Sequence, residues 1–242
     1  MNINSDYSIT KLFVTKEVWI TVDSKDFILK VKTLKDFYTD RDWNAAYHIW
    51  TSPVSKLNTS LGLKEKTLTD SYDLLTLILF DLGQYNEFRK IYSLFDKVLK
   101  DILPQIEIKA PNILVNGITM TREIWEYVLY ILKLISGEKV EKPLSFSSEE
   151  ARQFYLAQKE AEERIKAIKS QKEGSQDNIM KILLSITYSF PSFTVEYLFD
   201  QTMAQIQWLQ KHAAGAVSYE VNAQAFAAGN VKKGKKLDFF IK

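Results

Sequence analysis

Just after Val31 the apolar residues of this chain change their spacing from two to between three and four, and that switch limits the fold more than any other feature. Before it, Val18, Ile20 and Val22 alternate with Trp19 and Thr21, and Phe27, Leu29 and Val31 resume the alternation after Asp23-Ser24-Lys25-Asp26. Successive strand residues face opposite sides, so this spacing predicts a β-hairpin with one face on a core. The turn contains no glycine, and its Asp and Ser side chains are expected to bond nearby backbone amides. From Thr33 onward the spacing is mostly helical. The chain therefore reads as mainly α (α+β), with an N-terminal β-hairpin among helices and a C-terminal helical module carrying a long terminal helix.

Helix punctuation divides the helical part. Thr33 is placed to cap a helix starting at Leu34, and Asp40 or Asp42 to cap another that carries Trp43, Ala46, Tyr47 and Trp50 before Pro53. Residues 67–82, ahead of Gly83, and 84–103, ahead of Pro104, read as a helical hairpin. Ile106, Ile108, Ile113 and Val115 suggest two short strands. Asn116-Gly117 after them either makes a type I′ turn or leads directly into a helix capped by Thr121 and ended before Gly137.

Residues 138–148 are polar, contain Pro143 and lack helical period, so we place a linker there between a unit at 1–137 and a unit at 149–242. Ser147 or Ser148, followed by Glu149 and Glu150, suits a helix start. The next residues step Ala151, Phe154, Gln158, Ala161, Ile165, Ile168, a narrow seam of coiled-coil type over about two and a half heptads. Its plain reading is an amphipathic helix packed on its own domain; its functional reading makes Phe154, Ala161, Ile165 and Ile168 partner contacts. After Gly174, residues 177–190 read as an apolar helix ended by Pro191, Thr194 as the start of a short turn, and Asp200 as the cap of a long helix to Ala228. Trp208 and the aromatics Tyr197, Phe199 and Tyr219 on this stretch are read as core first and as partner contacts second.

No motif signals catalysis. The two histidines, His48 and His212, are far apart, and the eight glycines form no phosphate-binding loop. The chain has no cysteine, which removes disulfides, thiolate metal sites and cysteine nucleophiles together. Paired carboxylates such as Glu149-Glu150 and Glu162-Glu163 fit a solvated helix better than acid–base chemistry. The expectation is a protein that is not an enzyme and carries no metal or cofactor.

Thirty-two basic residues against thirty acidic ones give a formal charge of +2, too small for a general affinity to nucleic acid. The basic residues concentrate locally at Lys232, Lys233, Lys235 and Lys236, read as a solubilising tail or as a patch for phosphates or an acidic protein surface. Directly after them stand Leu237, Phe239, Phe240 and Ile241, and Phe239 and Phe240 are candidate anchors because exposed apolar residues are costly unless they dock. No apolar run approaches the roughly 20 residues of a membrane span, and Met1 to Asp6 has no leader character, so the expected compartment is the cytosol.

Three stretches carry a resemblance to a family. They are Asn116-Gly117 with Thr121-Arg122-Glu123-Ile124-Trp125-Glu126; Glu149 to Tyr155 running into Ala161-Glu162-Glu163-Arg164; and Tyr197 to Ile206. The opening Phe27-Ile28-Leu29 before Leu34-Lys35-Asp36-Phe37 is of the same kind. In these patterns of residue type the chain resembles tail assembly chaperones and baseplate-hub assembly proteins of tailed bacteriophages. The resemblance implies a role without catalysis: binding and holding a tail component, such as the tape-measure or hub protein, in the host cytoplasm, with self-association as a further expectation. The alternatives are a permanent structural part of the tail or baseplate in the virion, and a nucleic-acid-associated helical protein that uses the lysine cluster.

Overall fold

The computed structural model describes residues 1–60, 68–82, 85, 89–138, 140 and 179–227. Most of the linker and the seam bearing Phe154, Ala161, Ile165 and Ile168 lie outside the described residues, as do Lys232, Lys233, Lys235, Lys236, Phe239 and Phe240. The chain is mainly helical with two small antiparallel sheets, so the expected α+β class is what the structure has.

The first sheet has the order β1 (Ile3–Ser5), β2 (Glu17–Val22), β3 (Lys25–Lys30), with α1 (Ile9–Thr15) between β1 and β2. Its register pairs Val22 with Lys25, Ile20 with Phe27 and Val18 with Leu29, and every apolar member of that set is buried. Trp19, on the opposite face, is 42% exposed. The alternation thus names the inward face residue by residue. The turn is tighter than expected: only Asp23 and Ser24 lie outside the ladder, at φ 45° and 72°. Those left-handed angles match the strand twist as a type I′ turn does. The Asp23 carboxylate does not stabilise the turn locally; it accepts from the backbone N–H of Asn2, ahead of β1, at 2.8 Å.

Next come α2 (Leu34–Thr39), α3 (Arg41–Thr51) and α4 (Val54–Ser60). Thr33 and Asp36 cap α2 reciprocally, and the Asp40 carboxylate accepts from Trp43 N–H at 3.0 Å to start α3. Asn58, buried on α4, donates to and accepts from the backbone of Leu68, both at 3.1 Å, and so ties α4 to the start of the next helical region. There α5 (Ser71–Thr76) starts on Asp70, three residues later than the spacing suggested, and continues as a π-helical turn over Leu77–Asp81.

After α6 (Arg89–Ile102) the second sheet runs β4 (Ile106–Lys109), β5 (Asn112–Val115), β6 (Ile118–Thr119). Asn116 and Gly117, at φ 49° and 71°, close the β5–β6 hairpin, so the type I′ alternative is the one realised. Thr121 then caps α7 (Arg122–Ile135), accepting from Ile124 N–H at 3.4 Å. Gly137 ends α7 at φ +77°: its N–H bonds to Leu134 O and that of Glu138 to Lys133 O, the paired bonds of a Schellman closure.

Helix α7 is the axis of the main core. Trp125, Val128 and Ile131 are fully buried beside Trp50 and Phe95 from α3 and α6. Trp50 meets Phe95 and Trp125 edge-on, at 88° and 87° between ring planes, and Trp43 at 68°. The indole N–H groups of Trp43, Trp50 and Trp125 have no oxygen or nitrogen acceptor. Edge-to-face packing of this kind suits the ring quadrupoles and turns hydrogen-bearing edges toward π faces.

The C-terminal helices are α8 (Ile179–Ser189), α9 (Val195–Phe199) and α10 (Met203–Ala227). Leu183, Ile186, Leu198, Ile206 and Leu209 bury together with Leu34 of α2, and Phe13 of α1 packs on this second cluster. The cap of α10 is Thr202, not Asp200. Thr202 Oγ1 accepts from Gln205 N–H at 3.3 Å and Gln205 Oε1 from Thr202 N–H at 2.8 Å, a reciprocal capping box. Asp200 instead closes α9, its N–H bonding back to Glu196 and Tyr197. No described helix is long and apolar enough to cross a membrane.

Candidate docking site

Helix α8 is apolar on two sides. Leu183 and Ile186 face the second core cluster, whereas Leu184 and Tyr188, one helical turn apart, are 55% and 85% exposed. Residues that long, pointing outward on a helix that already buries its other face, are not explained by the chain's own core.

Where α8 ends, the surface becomes aromatic. Phe190 N–H bonds to Ile186 O, and Phe193 N–H turns back to Phe190 O across Pro191. The Phe190 and Phe193 rings lie 5.8 Å apart, and Phe193 stacks on Tyr197 at 5.2 Å with 20° between planes. Thr194, capping α9 through Tyr197 N–H at 3.1 Å, fixes the one-turn spacing that brings those two rings together. Phe199 meets Tyr38 of α2 edge-on at 5.9 Å; Tyr197 is 40% and Tyr38 59% exposed. Phe190, Phe193 and Phe199 are each partly sunk into the second cluster, so the surface rests on a packed base.

One buried residue holds this base to the N-terminal elements. The Gln201 carbonyl accepts from Leu34 N–H at 2.7 Å, its Oε1 accepts from Lys16 Nζ at 2.8 Å, and its Nε2 donates to Tyr197 O at 2.8 Å. Burial lowers the pKa of Lys16, with the Asp200 charge pulling the other way.

The electrostatics are sparse. Between residues 182 and 210 the only charged side chains are Glu196 and Asp200, both acidic and exposed. Half-buried aromatics beside exposed ones, with few charges, are the composition of the energetic centre of a protein interface. Burying one such ring contributes about 1.5–3 kcal/mol.

Chemistry of another kind has less support. Among the described residues no three His, Asp or Glu groups are placed to hold a metal ion. Two of the perturbed groups sit in contacts that join elements. The Asp73 carboxylate is held below the usual range: burial pushes it up, and hydrogen bonds from Thr69 with the Arg122 guanidinium at 2.7 Å outweigh that. Arg122 Nε lies 2.8 Å from Asp70, so the start of α7 is clamped to the start of α5. The Tyr47 phenol is pushed up by burial and by the Glu138 carboxylate that accepts its O–H.

Of the partner contacts expected from the sequence, only Trp208 lies within the described residues. It is partly buried in the second cluster, edge-on to Phe13 at 5.9 Å and tilted over the His212 ring at 4.1 Å. Tyr197, read as core first, is on the surface; Phe199 is half-buried. Leu184, Tyr188, Phe190 and Phe193 do not stand out in the sequence as contacts. The signal for them lies in residues 179–190, where apolar side chains occupy both faces of one helix.

Comparison of the chain with protein-family models, with curated proteins and with solved structures finds no match.

Proposed function

We propose that this chain is a bacteriophage tail or baseplate assembly protein, without catalytic activity, that holds another tail component in the host cytoplasm through the aromatic surface of α8 and α9. The observation that carries the holding role is that Leu184 and Tyr188 stand exposed on the side of α8 turned away from the core, with Tyr197 exposed on α9 beside half-buried Phe193. The phage assignment is supported by the resemblance of the stretches at 116–126, 149–164 and 197–206 alone, and the tape-measure or hub protein is the partner it implies.

The test is a tagged pull-down from cells that express the neighbouring genes, with mass spectrometry of what is retained and of finished particles. A tail protein that co-purifies, and is lost about thirtyfold with Tyr188→Ser, supports the reading, because a central aromatic anchor contributes about 2 kcal/mol or more. Presence in particles at fixed copy number makes the chain a structural part of the tail. Retention of no tail protein sinks the assignment, and retention unaffected by Tyr188→Ser moves the contact elsewhere.

A further inference from the structure

Asn116 alone among the chain's asparagines stands before a glycine. Both residues of the pair are exposed, and a Cβ built on Gly117 meets nothing within 4 Å. Asparagine is thermally labile because the backbone nitrogen of the next residue can attack its side-chain carbonyl. A side chain on that next residue hinders the attack, and glycine has none. Asn112, in the same hairpin, precedes β-branched, buried Ile113.

Two features decide what such an attack does here. Asn116 and Gly117 alone lie between Val115 and Ile118, which pair across β5 and β6, so the turn has no spare backbone. The Asn116 amide is also the donor to Asp26 O at 2.7 Å, a bond across 90 residues that holds the turn on β3.

We infer that Asn116 is a site of spontaneous hydrolytic modification, and that its conversion releases the β5–β6 turn from β3. Gly117 N bonds to Asn116 Cγ, the side-chain nitrogen leaves as ammonia, and a five-membered succinimide closes. Water then adds to one of the two imide carbonyls and a ring C–N bond opens, leaving aspartate or isoaspartate at the position; nothing is oxidised or reduced. While Asn116 Nδ2 is held on Asp26 O the side chain lies on β3, so attack follows the opening of that bond. Strand β6 has only Ile118 and Thr119, and so short a strand opens ahead of the core.

Either product lacks the donor. A carboxylate in place of the amide meets the Asp26 carbonyl oxygen, and an attraction becomes a repulsion. In isoaspartate the main chain runs through the former side-chain carbon and is one atom longer, which a two-residue turn between Val115 and Ile118 does not accommodate. The shift is passed toward α7 through Met120, whose N–H bonds to Ile113 O at 2.8 Å.

The test ages the full-length chain for days at physiological temperature in mildly alkaline buffer, with and without urea, and follows it by tryptic digestion and mass spectrometry. Zero-time samples digested in parallel correct for conversion during digestion. The peptide from Ala110 to Arg122 carries both Asn112 and Asn116, so it contains its own control. A gain of about 1 Da at 116, ahead of 112, is expected in native buffer, and a faster gain in urea, where no bond to Asp26 holds the side chain. No gain at 116 in native buffer, or equal gain at 112 and 116, overturns the inference.

Asn116→Asp, made directly, is expected to lower the urea midpoint by about 0.5 M, the loss of about one hydrogen bond. Should that variant fail to fold, converted chain separated from the aged sample by its added negative charge takes its place. A midpoint equal to that of the natural chain shows that the amide does not hold β3 and overturns the proposed release. None of these measurements involves the α8 surface, so their outcome and that of the pull-down are independent.

Discussion

Gln207 of α10 lies so close over Gly137, the left-handed residue that ends α7, that a Cβ added to Gly137 would stand 2.5 Å from Gln207 Nε2. Two separate physical effects therefore oppose a side chain at residue 137: the positive φ of +77° and the amide above it. The amide is the far end of a flexible, exposed side chain and can swing away, whereas the backbone cannot change φ without opening the Schellman closure. Gly137→Ala is expected to cost about 1–2 kcal/mol in urea unfolding. Adding Gln207→Ala should recover less than about 0.5 kcal/mol, within the range in which independent sites add. Recovery of most of the loss would show that the contact, not the backbone, sets the cost.

The clamp of Arg122 on Asp70 and Asp73 makes a second prediction. The Asp70 side chain is only 7% exposed and also accepts from the Tyr72 and Asp73 N–H groups, so Arg122→Gln removes its cationic partner but not its capping bonds and should destabilise by about 1–2 kcal/mol at pH 7. The folded-state pKa of Asp73 lies below its ordinary 3.8, so its contribution is complete above that pH and is lost as pH falls through the lower folded value. Without Arg122 the folded value moves part of the way toward the unfolded one, the Thr69 bonds remaining. Stability of the variant should therefore depend less steeply on pH below about 4 than that of the natural chain, measured by unfolding across that range; parallel curves would refute the coupling.

Thr202 and Gln205 cap α10 reciprocally, and both are buried. Thr202→Ala should cost about 1 kcal/mol. A double-mutant cycle with Gln205→Ala should show coupling of about 0.5 kcal/mol or more, since each substitution removes a bond that the other side chain needs. Additive effects would mean that the two bonds act separately.

Strand β3 is an edge strand, and two side chains from the second sheet and its approach occupy its outward groups. Asn116 Nδ2 donates to Asp26 O at 2.7 Å, and Ile28 N–H donates to Gln105 Oε1 at 3.1 Å. Bare strand edges recruit other chains. Asn116→Gly preserves the positive φ of the turn, and combined with Gln105→Ala it bares the edge; concentration-dependent association in sedimentation velocity is the expected outcome. Monomeric behaviour equal to that of the natural chain would show that these two side chains do not guard the edge.

Local chemistry was legible wherever a residue acts on its own neighbours. The inward faces of β2 and β3, the caps Thr33, Asp40, Thr121 and Thr194, the Asn116-Gly117 turn and the stop at Gly137 all arise from interactions within a few residues. The misassigned cap of α10 has the same explanation. Asp200, Thr202 and Gln205 all satisfy local rules, and the reciprocal Thr-x-x-Gln pair outcompetes the aspartate because it satisfies two amides where Asp200 would satisfy one.

The sequence by itself determined the β2–β3 hairpin, most of the longer helices and which of their faces is apolar, because backbone caps, turn angles and side-chain periodicity are properties of adjacent residues; the short β1, α1 and α4 carry too few residues for a period to show. Only the tertiary structure decided which apolar face is left over. Residues 179–190 are apolar on both sides, and nothing local distinguishes Ile186, buried on Leu34 and Leu198, from Tyr188, two residues later and 85% exposed. That choice is made where α8 meets Leu34, Leu198, Ile206 and Leu209, residues that other elements bring to it. Burial is a property of where distant elements meet, and a pattern read along the chain carries no term for it.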